Sequence, residues 1–148
     1  MVRKLIETLA LITLAVGLVA PAQSAAEPAT TARAGVCEGE AEKIVGQKAV
    51  RIGGSIRPPR RLRWLPPIFP ELPPGTTAMG MWVGDVLVDR SGKVARVWAT
   101  REVRLKPAFP ALNQAVVDAL GQWEYQPLLL NGTPTPFCMT VTTNIDFQ

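Results

Sequence analysis

The most regular stretch of the chain is its last, "FCMTVTTNIDF" (Phe137–Phe147), in which apolar and polar residues alternate. Phe137, Met139, Val141, Ile145 and Phe147 fall on one face, and Cys138, Thr140, Thr142, Asn144 and Asp146 on the other. A period of two predicts a strand with one buried and one wet face, the habit of antiparallel sheets. Upstream, "MWVGDVLVD" and "KVARVWATR" share a β-rich character and flank "DRSG", which predicts a hairpin. In its second strand Ala95, Val97 and Ala99 are predicted to face the core, opposite Val94, Arg96, Trp98 and Thr100. The period then changes. In "PALNQAVVDALGQW" the residues Leu112, Ala115, Val116, Ala119, Leu120 and Trp123 make one helical stripe. Asn113, Gln114, Asp118 and Gln122 are left for the wet side, and Pro110 suits the first helical position. The order β-β-α-β predicts an α+β fold, a small antiparallel sheet of three to four strands packed on one helix.

The segments between these elements are punctuated by proline. In "WEYQPLLLNGTPTPF" the Asn131-Gly132 pair predicts a tight turn between a short strand and the last one. Pro127, Pro134 and Pro136 then belong at strand boundaries, because each lacks a ladder donor. "NGT" also matches an N-glycosylation acceptor, but the turn explains it better. "RIGGSIRPPRRLRWLPPIFPELPPG" carries seven prolines between Pro58 and Pro74, which excludes helix and favours an extended path. "AAEPATTARAG" reads as flexible linker. The predicted organisation is a tail or linker over 25–50 and a domain over 51–148 led by the proline- and arginine-rich segment 51–75.

The first residues follow another logic. "MVRK" is basic, Leu9–Ala20 is a 12-residue apolar run, and "PAQSAAE" offers small residues for cleavage after Ser24. That order predicts a cleaved signal peptide over 1–24 and export to the periplasm. The rival is an inner-membrane anchor with the rest facing the periplasm, which needs roughly 20 apolar residues. Export makes a disulfide between Cys37 and Cys138, the chain's two cysteines, the favoured reading over free thiols. "ARAGVC" lacks the aliphatic residue expected before a lipid-bearing cysteine. The chain has no histidine, which excludes Ser-His and Cys-His nucleophile pairs and histidine-ligated metals. Asp85, Asp89, Glu102, Glu124 and Asp146 are scattered singly, and no phosphate loop or nucleophile elbow is present. No enzyme, cofactor or metal is expected.

Charge adds one sharper feature. From Lys48 to Arg63 there are six cations (Lys48, Arg51, Arg57, Arg60, Arg61 and Arg63) and no acid, with Trp64 next in line. Such a segment suits phospholipid headgroups, acidic glycans or an acidic protein, and Arg57, Arg60, Arg61 and Arg63 are its candidate contacts. Nucleic acid is not expected as a partner of an exported chain. The plainer reading is a proline-rich loop whose arginines are simply solvated.

Taken together the motifs resemble the TonB C-terminal domain family. Its Pro-x-Tyr-Pro element is matched by Pro67, Phe69 and Pro70, and its Val-Asp-x-x-Gly-x-Val hairpin by Val88, Asp89, Gly92 and Val94. Its Trp-x-Phe/Tyr-x-Pro helix end and following Gly-x-Pro are matched by Trp123, Tyr125, Pro127, Gly132 and Pro134. The likeness spans about Arg51 to Phe147. It implies a periplasmic protein-binding module for energy-coupled outer-membrane transport, capturing an extended transporter segment by strand addition. By that analogy the receiving edge is Met139, Thr140, Val141, Thr142, Thr143 and Asn144. The same strand could instead lie inside the sheet or pair with a second copy in a homodimer. A full energy transducer also has an uncleaved anchor and a long spacer, and the reading of 1–24 as cleavable and 25–50 as a short linker predicts that both are missing or reduced here. The alternative is a structural envelope protein touching an anionic surface through its arginine segment.

Overall fold

The computed structural model describes residues 35–147; the signal-peptide expectation over 1–24 and the first part of the tail lie outside them. The fold is α+β. Its main sheet has four strands, β1 (Val50–Arg51), β3 (Ala78–Val88), β4 (Val94–Arg101) and β8 (Phe137–Phe147), in the order β1-β8-β3-β4. β3 and β8 pair antiparallel along their whole lengths, from Ala78 opposite Phe147 to Val88 opposite Phe137. β1 adds to β8 in parallel, so the sheet is mixed rather than purely antiparallel. Two further pairs sit beside it. β2 (Arg61–Arg63) runs against β5 (Glu124–Tyr125), and β6 (Leu129–Leu130) against β7 (Thr133–Pro134) around Asn131 and Gly132. Both turn residues have positive φ, 50° and 78°, as an Asn-Gly hairpin turn requires.

Helix α2 (Pro110–Leu120) covers one face of the sheet. Its Leu112, Val116 and Leu120 close over Trp82, Val86 and Val88 of β3 and Phe137, Val141 and Ile145 of β8. The helix stops three residues short of Trp123, which nonetheless joins the same core through the turn that follows.

The other face holds the first departure from expectation. Residues 36–50, expected as tail, form helix α1 (Val36–Val45) and the first residue of β1. Cys37 and Ala41, one turn apart, are fully buried against Leu87, Cys138 and Trp98. α1 is therefore a second helix on the face that the period-2 pattern had marked as wet. Its stripe is only a cysteine and an alanine, too short and too small to stand out by periodicity. It explains why β3 is buried from Gly84 to Val88 without alternation: at that end both faces are covered.

Two smaller corrections follow from packing. The Ala95 face of β4 is not the buried one: Ala95 and Ala99 are exposed, and Val94 and Val97 touch the core. Register shifts in the β3–β4 ladder, one of them between Leu87 and Val88, let residues three apart reach the same side. Asn113 is buried rather than wet. Its side-chain amide accepts from the Val103 N–H and donates to the Val103 carbonyl, both at 2.9 Å, as a neighbouring strand would.

Candidate functional site

Of the residues that carry the family resemblance, those of the hairpin and of the helix end meet at the β3–β4 turn, while Phe69 packs at the opposite end of β8. Asp89 Oδ1 accepts hydrogen bonds from the Ser91 N–H at 2.8 Å, the Ser91 hydroxyl at 2.6 Å and the Lys93 N–H at 3.1 Å. Partial burial opposes ionisation of that carboxyl, but these bonds outweigh it and hold it below its ordinary range. The turn they shape brings Gly92 against Tyr125, whose N–H donates to the Gly92 carbonyl at 2.7 Å. At φ 89° Gly92 has a conformation that side chains avoid, and a Cβ there would collide with the Tyr125 carbonyl. Tyr125 packs edge-on against Phe137, 5.8 Å between ring centres, and burial pushes its hydroxyl up from the ordinary tyrosine range. Trp123 donates from Nε1 to the Leu65 carbonyl at 2.8 Å, while the Arg61 guanidinium lies 4.6 Å over its ring. Phe69 meets Phe147 edge-on at 5.0 Å. These contacts fasten the proline-rich segment to Trp123 and to the end of β8, and the β3–β4 turn to β5. Their work is structural.

The strand proposed as a receiving edge has a definite place. β1 covers only the start of β8, at Phe137 and Cys138, and its ladder ends where the Ile52 N–H donates to the Cys138 carbonyl at 2.8 Å. Along an antiparallel ladder successive residues aim their N–H and C=O groups alternately toward the partner and away from it. Cys138 aims away from β3, so Thr140, Thr142, Asn144 and Asp146 do as well. Among the described residues no backbone hydrogen bond outside the β3 ladder reaches any of these four. The stretch from Met139 to Ile145 carries no charge. The opposite edge differs: β4 is bulged and bears Arg96 and Arg101, with Lys93 just before it. Bulges and cations are the usual means of keeping a sheet edge from pairing. Among the described residues the open edge is β8 beyond Cys138.

Beside that edge lies a cluster no motif announced. Arg51, at the end of β1, donates from Nη1 and Nη2 to the two Asp85 carboxylate oxygens at 2.9 Å each and from Nη2 to Glu38 Oε2 at 2.6 Å. Its Nε also pairs with Glu38, and the Thr140 hydroxyl donates to Asp85 Oδ1 at 2.9 Å. Hydrogen bonding to Arg51 holds both Glu38 and Asp85 below the ordinary carboxylate range, against the opposing cost of their partial burial. The same partners push Arg51 up. Next to the cluster a disulfide joins Cys37 to Cys138, with Cα atoms 6.0 Å apart, so α1 is held by a covalent bond and an ion-pair clamp. Cys37, Glu38 and Cys138 also lie close together, but in the disulfide neither sulfur is a thiolate ligand.

The candidate arginines do not act alike. Arg61 is stacked on Trp123 and Trp64, and Arg63 lies 3.6 Å from Glu124 with both side chains largely exposed. Arg57 and Arg60 are exposed and have no ion-pair partner among the described residues. Sequence spacing gave no sign that Arg51, counted with the same basic run, is neutralised by two acids. No described helix is long and apolar enough to cross a membrane. No family model, curated protein or solved structure matches the chain.

Proposed function

We propose that this protein is a periplasmic protein-binding module, like the TonB C-terminal domains it resembles, and captures an extended partner segment by strand addition. The observation that carries the reading is the outer side of β8 from Thr140 to Asp146, which no other strand covers among the described residues and which is uncharged as far as Ile145, in a sheet whose β4 edge is bulged and cationic. A segment laid there would prolong the line begun by β1 and satisfy four residues' worth of outward N–H and C=O groups. Binding rather than catalysis is supported by the tie between Arg51 and its two carboxylates, and by a chain without histidine. The partner class the resemblance suggests is an outer-membrane transporter or another envelope protein.

The geometry supplies a sharp test. Val141 aims its N–H at β3, so Val141→Pro would break the sheet and say nothing about capture. Thr142 aims its N–H outward, and Thr142→Pro removes one receiving donor while leaving the β3 ladder whole. Calorimetry with peptides from transporter N-termini is expected to show at least tenfold weaker binding to Thr142→Pro, with an unchanged circular dichroism spectrum. Equal binding by a folded Thr142→Pro protein would sink the strand-addition reading. N-terminal sequencing of the fractionated protein separates the exported form, starting near Ala25, from an inner-membrane form that keeps Met1.

A further inference from the structure

The arm from Arg57 to Ile68 combines two kinds of exposed group that rarely share a solvated loop. Its apolar side chains stand out from the surface: Leu62 is 59% exposed, Trp64 53% and Ile68 90%. Its cations are interleaved with them along the chain, and Arg63 and Ile68 line one shallow groove of about 780 Å³ against α2. No acid occurs between Glu42 and Glu71. The arm is nonetheless firmly mounted. Arg61 lies over Trp123, the Leu65 carbonyl accepts from Trp123, and the Gln126 N–H donates to the Arg60 carbonyl at 2.8 Å. The backbone is fixed, and the exposed side chains are presented outward.

We propose that this arm docks the protein on anionic phospholipid bilayers, with Arg57, Arg60 and Arg63 at the headgroup phosphates and Leu62, Trp64 and Ile68 seated in the interfacial layer. The charge is complementary, and each arginine near an anionic surface strengthens attachment about fivefold. Tryptophan and long aliphatic side chains favour the boundary between headgroups and acyl chains. A lipid surface fits better than an acidic protein for a geometric reason. Arg57 and Arg60 make no side-chain hydrogen bond among the described residues, so their forks are not set in advance. A fluid headgroup layer adapts to such cations, whereas a tight protein epitope gains from groups already in place. The docking is independent of strand capture at β8.

Vesicle flotation tests it with the full chain, the Arg57→Gln/Arg60→Gln/Arg63→Gln variant, Ile68→Ser and Trp64→Phe. Phosphatidylglycerol-containing vesicles are expected to bind the unmodified chain in a salt-sensitive way and the triple variant roughly a hundredfold more weakly. Ile68→Ser is expected to weaken binding at every salt concentration, and a blue shift of tryptophan emission is expected in the unmodified chain but not in Trp64→Phe. Ile68 is almost fully exposed, so that variant keeps the fold and serves as the second arm of the test. Equal flotation of the triple variant, or equal flotation with zwitterionic vesicles, overturns the proposal and assigns any attachment to other parts of the chain. Capture by polyglutamate without vesicle binding overturns it in favour of an acidic protein partner.

Discussion

Arg51 illustrates how one residue can decide the behaviour of its neighbourhood. Its guanidinium joins Glu38, Asp85 and Thr140, which lie 13, 34 and 89 residues away in the chain. At such separations no local spacing rule applies, so the sequence shows only a cation in a basic run. Asp85 is 8% exposed, and Arg51→Ala would strand it without its partner. The expected cost is about 2 kcal/mol, below that of a fully buried pair because the Arg51 side chain keeps a third of its exposure. Urea unfolding checks it. The pH dependence has a definite sign. Glu38 and Asp85 are held below their ordinary values of 4.5 and 3.8, so the folded state binds their protons less readily than the unfolded chain. Their contribution is complete above those values and is lost as the pH falls below them. Arg51→Ala is expected to flatten the loss of thermal stability between neutral pH and about pH 3. Gly92 offers a second case, and here the sequence was informative. The Asp-x-x-Gly spacing marks a turn, and φ 89° with the Tyr125 carbonyl overhead leaves no room for a side chain. Gly92→Ala is expected to cost about 2 kcal/mol or more, read as a lower unfolding midpoint at unchanged urea dependence.

The elements differ in how plainly the chain spells them out. β8 and α2 each bury a wide apolar stripe against the same core, so their periods of two and of three to four residues stand out in the sequence alone. α1 is hidden because Cys37 and Ala41 are its buried residues, and because the strand face it covers looks polar beyond Cys138. What little apolar surface it buries cannot hold it alone. The disulfide and the Glu38–Arg51 pair supply the rest. Closing a loop across 101 residues contributes about 4 to 5 kcal/mol in the chain-entropy account, reduced by any strain. Reduction, or Cys37→Ser, is expected to release α1 first. Amide exchange should then rise across Val36–Val45 while Pro110–Leu120 stays protected, because α2 keeps its contacts with β3 and β8. Equal loss of protection in both helices would show that α1 is integral to the core rather than strapped onto it.

At the scale of the molecule, the two proposed surfaces use different residues of one rigid frame. The arm is fastened through Arg61, Leu65 and Phe69, and Phe69 rests on Phe147 at the far end of β8. The outward residues of the β8 edge, by contrast, send their side chains to the α1 side of the sheet. Trp123, Tyr125 and Gly92, three of the residues that carry the resemblance, are buried in contacts with Leu65, Arg61, Phe137 and one another, and belong to neither surface. Motif residues of that kind shape turns and packing, so the two proposed surfaces are read from pairing and exposure instead. The separation can be tested in a single pair of variants. Thr142→Lys puts onto β8 the kind of charge that β4 already carries, at an exposed position whose fold cost is expected to stay within about 0.5 kcal/mol. It is expected to abolish peptide capture and leave flotation with anionic vesicles unchanged. Arg57→Gln/Arg60→Gln/Arg63→Gln is expected to do the reverse. If each variant weakens both activities, the arm and the edge form one continuous site, with the Phe69–Phe147 contact as the joint between them.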